Sequence, residues 1–167
     1  MLAIFIGSSA FHTLANQWSL LADVIPISLF QLVFLAAYSR YVIALPVWGV
    51  ASLLILFLVS GWLLGLLPVD INGSQSYLAA ALFVAGLGIY HRLSHQPEPF
   101  VLLTALVLFL VSLTLRTIDN SICGQWPLGT HFLWHLCNGA VLYLCVRAYL
   151  KSLTHKGQGL HLLAFEQ

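Results

Sequence analysis

The feature that most constrains this chain is a succession of apolar runs, each near the length of a membrane-crossing helix, divided by breaks of a few polar residues. A bilayer core of about 30 Å is crossed by about 20 helical residues. In order the runs are Met1 to Ala15, Trp18 to Tyr38, Leu45 to Leu67, Tyr77 to Tyr90, Phe100 to Leu115 and Leu128 to Leu150. Only 7% of the residues are charged, against roughly a quarter in a soluble domain, and mean hydropathy is +0.96. A water-soluble core is therefore excluded. The expected fold is all-α: a polytopic transmembrane helix bundle with six helices in residues 1–151, and a short polar tail over 152–167. The first run lacks the basic segment of a signal peptide and carries Ser8, Ser9 and His12 in its apolar part, so it is read as a helix whose N-terminal turns are cut off.

Orientation follows from Lys and Arg in the short loops. Arg40, Arg92 and the group Arg147, Lys151 and Lys156 fall in alternate loops and the tail, whereas the opposite side has Arg116 beside Asp70 and Asp119. The C-terminus is expected to be cytoplasmic, with the breaks at Asn16 to Gln17, Pro68 to Ser76 and Arg116 to Pro127 on the extracytoplasmic side. A net charge of +1 gives no reason to expect nucleic acid, and oligomeric state leaves no mark in the sequence. Cys137 and Cys145 read as small core residues of one helix. Cys123 falls in an extracytoplasmic loop, where a disulfide is chemically permitted.

Ionisable groups inside a bilayer are costly, so each marks a functional candidate. His131 and His135 stand at i and i+4, which puts both imidazoles on one helical face, the usual arrangement for two ligands of one metal. The spacing is not specific, because His91 and His95 share it. That second pair sits at a cytoplasmic helix end, next to Arg92 and ahead of Pro97 and Pro99, and is expected to be solvated and structural. What sets the first pair apart is depth. His12 precedes the Asn16 break by four residues, Asp23 follows Trp18 by five, and His131 follows Pro127 by four. Three helices thus carry their costly groups at one level in the outer half of the membrane. Ser8 shares a face with His12.

Three imidazoles suit catalytic Zn2+, which takes three protein ligands and leaves a position for water. His12, His131 and His135 are the expected ligands. Asp23 is expected to act as the base for the activated water, Ser8 to donate a hydrogen bond to the oxyanion formed at an attacked carbonyl, and Asn138 to support the ligands from behind. A haem held by two histidines is the rival, and it explains neither Asp23 nor Ser8.

The segments GSSAFHT, LADVIPI and DNSICGQWPLGTHFLWHLCNG, starting at Gly7, Leu21 and Asp119, resemble the alkaline ceramidase family of the CREST superfamily of membrane hydrolases, which also includes the adiponectin-receptor group. The family pattern is S-x-x-x-H on one helix, Asp early in the next and H-x-x-x-H on the last, matched here by Ser8 and His12, by Asp23, and by His131 and His135. The resemblance implies a seven-helix fold, zinc on those three histidines, and hydrolysis of the amide of ceramide-like N-acyl lipids to a long-chain base and a fatty acid. In that family another helix comes before the one matched by Ser8 and His12, and the cysteine that Cys123 resembles has its disulfide partner there; the present chain is read either as a fragment or as a truncated member. An alternative that uses the same residues is a lipid receptor or signalling protein with a structural zinc.

Overall fold

The computed structural model describes residues 2–14, 16–69, 71–122, 124, 126 and 129–165, with side chains for these except 5, 11, 12 and 158–165. The described residues are mostly helical, without strands among them. The chain is all-α, as the apolar runs predict. Gln17–Val42, Val47–Gly65, Ser74–Leu93 and Val101–Ile122 are each long and apolar enough to cross a membrane, the property expected of an integral membrane chain. Contacts divide it into two units, residues 1–54 and 55–167, described in turn.

The first unit is a helical hairpin of α1 (Leu2–Leu14) and α2 (Gln17–Ala37). The start of α2 is fixed by Asn16. Its side-chain oxygen accepts the Ser19 amide at 2.9 Å, while the Ser19 hydroxyl oxygen accepts the Asn16 amide at 3.1 Å. This reciprocal cap satisfies amides that the first turn of a helix leaves without carbonyls. Where the two helices touch, a Cβ built on Gly7 would overlap the Ala22 carbonyl. Within α2 that carbonyl faces Pro26, four residues on, which has no N–H to offer it. The missing side chain of one helix thus meets the freed backbone oxygen of the other. Beyond Ala37 the chain winds through a π-helical turn, Tyr38–Val42, closed by the Leu45 amide donating to the Ser39 carbonyl at 3.0 Å.

Helix α3 (Val47–Gly65) crosses from the first unit into the second and has no buried residue. A helix apolar on every side and unburied by protein is suited to hydrocarbon. Its second half meets the next helix through Phe57 and Phe83, edge to face at 5.1 Å between ring centres.

The second unit also holds a 3-10 turn, Ser74–Tyr77, and helices α4 (Leu78–Leu93), α5 (Val101–Ile122) and α6 (His131–Phe165). A Cβ on Gly88 would meet the Leu103 side chain at 2.9 Å, so α4 and α5 lie close there. Helix α5 runs past Leu115, where the apolar run ends, because its last polar residues have partners. Arg116, expected in a loop, lies within α5 with its guanidinium over the rings of Tyr77 (5.3 Å) and Trp134 (4.7 Å), and its Nε donates to the Asn72 carbonyl at 3.2 Å. Asn72 in turn donates to the Arg116 carbonyl at 2.7 Å. The α6 backbone stays helical through residues read as a polar tail.

At the opposite end, the loop from Ser94 to Phe100 holds two non-glycine residues with positive φ, His95 (49°) and Glu98 (56°). His91 is fully buried and its Nε2 lies 2.9 Å from the Pro97 carbonyl. The expectation that this histidine is solvated is corrected: the loop folds back over it, and its ring is used to satisfy a backbone oxygen. His95, past the end of α4, is exposed. The two rings do not share a helical face.

Candidate metal site

Asp23 and Ser8 lie in the first unit, each one residue after the contact pair Ala22 and Gly7. The close approach of the two backbones therefore brings these polar side chains to one level. Both are buried, Asp23 to 7% exposure and Ser8 to 9%. A buried carboxylate is costly unless it is paired, so its place beside the Gly7–Ala22 contact makes it a functional candidate. His12 lies on α1 one turn beyond Ser8, and its side chain is outside the described residues, as is Cys123.

His131 and His135 lie in the second unit, on the first two turns of α6. Their ring centres are 5.0 Å apart with planes at 71°. Two imidazoles on one tetrahedral zinc would place their ring centres about 5 Å apart, taking metal to nitrogen as about 2.0 Å and nitrogen to ring centre as about 1.1 Å. The spacing of the pair is compatible with a shared metal. Among the described residues no group of three or more His, Cys, Asp or Glu side chains is placed to hold one; the described part supplies two of the three expected ligands.

The rings rest on a built support. Trp134, 1% exposed, lies 5.1 Å from the His131 ring and 4.4 Å from that of His135. Arg116 stacks on the same indole. Behind Trp134, the buried Ser112 hydroxyl donates to the Asn138 side-chain oxygen at 2.9 Å and stands 3.2 Å from the Trp134 carbonyl. Asn138 thus belongs to the support of α6 against α5; Ser112, one polar residue in an apolar run, has no role in the sequence reading.

Asp119 has no site role in that reading either. This residue of α5 accepts the backbone amides of Thr130 (2.6 Å) and His131 (2.9 Å) on one oxygen, and its other oxygen lies 3.9 Å from His131 Nδ1. The signal was present in the sequence, since Asp119 was counted among the extracytoplasmic charges. Expected in a loop, it instead lies on a helix facing the start of α6.

At the level of sequence families, curated proteins and solved structures, no match to the chain is found.

Proposed function

We propose that the chain is a membrane-embedded zinc amidase of ceramidase type, acting on ceramide-like N-acyl lipids. The observation that carries this reading is the pair His131 and His135, two half-buried imidazoles 5.0 Å apart at the start of α6. It is supported by the buried Ser8 and Asp23 beside the Gly7–Ala22 contact of α1 and α2. His12, His131 and His135 would hold Zn2+, which when bound supplies a Lewis acid that makes hydroxide accessible near neutral pH.

The chain's own residues do the rest. Asp23 accepts a proton from the attacking water and returns it to the nitrogen as the C–N bond breaks. Ser8 donates a hydrogen bond to the carbonyl oxygen as that oxygen gains charge. The products are a fatty acid and a long-chain amine. In this reading the site lies in the outer half of the bilayer, open toward the extracytoplasmic side. An amide just below a lipid headgroup reaches it laterally, with both chains kept in the hydrocarbon.

The test is metal analysis and hydrolysis by the purified full chain. Wild type is expected to carry one zinc and to release fatty acid from a fluorescent ceramide. His131→Ala should lose the zinc, and Asp23→Asn should keep it while losing turnover. Equal zinc in wild type and His131→Ala overturns the site. Stoichiometric zinc with no product from any of a panel of N-acyl lipids overturns the amidase and favours a receptor.

A further inference from the structure

We propose that Asp119 is a positioning residue for His131, fixing where α6 begins and which ring nitrogen of His131 is offered as a ligand. Its consequence for metal binding rests on the reading of His131 as a zinc ligand; the effect on the ring does not.

The residue at the start of a helix ordinarily caps it with its own side chain. Thr130 occupies that place, and its carbonyl accepts the Trp134 amide at 3.4 Å. Its hydroxyl, however, is turned to the Leu115 carbonyl at 2.6 Å. The amides at the head of α6 are therefore taken by a carboxylate from another helix. Asp119 Oδ1 accepts Thr130 N–H at 2.6 Å and His131 N–H at 2.9 Å, with the Thr130 hydroxyl at 3.4 Å. Two backbone donors pin that oxygen. With Oδ1 pinned, the second oxygen is carried to the His131 ring, 3.9 Å from Nδ1.

A hydrogen bond needs an approach about 1 Å closer. At the observed distance the effect is electrostatic: a negative oxygen favours the neutral ring with its proton on Nδ1. The Asp119 side chain is 14% exposed, so the attraction is little screened. A proton on Nδ1 leaves the Nε2 lone pair free to ligate. A carboxylate behind a ligating histidine orients the ring and raises its basicity. Helix start and ring tautomer are thus set by one side chain.

Asparagine at this position separates the two roles. Its carbonyl oxygen can still accept both amides, but the NH2 that replaces Oδ2 carries no negative charge toward Nδ1. The first measurement is 15N NMR of histidine-labelled, metal-free protein at mildly alkaline pH, with His131→Gln used to assign the ring. The wild type should show the proton on Nδ1, and Asp119→Asn should shift it toward Nε2. A wild-type proton on Nε2 overturns the proposal without recourse to any variant, as does an unchanged tautomer in Asp119→Asn. The second measurement is zinc affinity by chelator competition, expected to fall about 10- to 100-fold in Asp119→Asn with little change in thermal melting. Wild-type affinity in that variant reduces Asp119 to a cap and overturns its role toward the metal. A wild type that takes up no zinc removes the amidase reading, while the ring spectrum still decides what Asp119 does to His131.

Discussion

Glu98 and Arg147 form a two-pronged ion pair: Arg147 Nε donates to one oxygen of Glu98 and Nη2 to the other, each at 2.7 Å. The pair joins the loop between α4 and α5 to α6 and holds Glu98 at its positive φ of 56°. Hydrogen bonding from Arg147 keeps the Glu98 carboxyl below its ordinary value of 4.5.

The pair's contribution to stability is therefore fully present above about pH 4.5, the free-chain value, and is lost as pH falls through the lower folded value. Exposed pairs are worth little, so the effect is small, though the forked geometry makes it measurable. Unfolding in detergent across the acid range should show wild type losing its advantage over Glu98→Gln below pH 4.5. Parallel curves for the two proteins would count against the pair.

Gly7→Ala tests the hairpin. Its new methyl would meet the Ala22 carbonyl, a backbone atom that cannot rotate away, so α1 and α2 must separate. Overpacking of this kind costs about 1–3 kcal/mol, and small residues are what let membrane helices approach. The expected result is a clear drop in melting temperature, with Ala10→Gly as a control in the same helix. Because Ser8 and Asp23 flank the contact, the Gly7 variant should also lose more hydrolysis than its loss of folded protein explains.

How far the sequence carried this reading differs from residue to residue. The all-α class was legible, because runs of apolar residues near membrane length have one structural outcome, and so was the start of α2, where Asn16 with Ser19 forms a local cap; the ends of α5 and α6 lie beyond the apolar runs. The two imidazoles on one face were legible for the same reason, since spacing along a helix fixes the face. Asp119 was not, since its partners, Thr130 and His131, are reached only after the chain has turned back. Nor was Gly7, whose lack of a side chain gains meaning from Pro26, nineteen residues away on the facing helix. Local periodicity is written in sequence, whereas contacts between helices depend on a register that periodicity leaves open.

His91 and His95 share the spacing of the candidate ligands and should behave oppositely to each other. His91→Leu leaves the part-buried Pro97 carbonyl without its 2.9 Å partner, costing about 1 kcal/mol. His95→Gly relieves a backbone at φ 49° and should leave melting unchanged or raise it slightly. Neither should change zinc content. A loss of zinc in the His91 variant, with the fold intact, would move the metal to the other end of the helices.

Asn72 separates backbone strain from hydrogen bonding at the turn that leads into α4. Its φ is 54°, a value asparagine tolerates better than most residues. Its side chain donates to the Arg116 carbonyl at 2.7 Å and accepts from Asn120 at 3.2 Å. Its own carbonyl accepts from Arg116 Nε, an interaction that survives any substitution of the side chain. Asn72→Gly keeps the conformation and removes the two side-chain bonds, for a loss of about 1 kcal/mol. Asn72→Ala removes the same bonds and adds the strain of a left-handed alanine, about 1 kcal/mol more. Chemical denaturation of both variants reads the difference. If alanine costs no more than glycine, the turn has relaxed out of its left-handed conformation, and the Asn72 carbonyl would no longer hold Arg116 over Trp134.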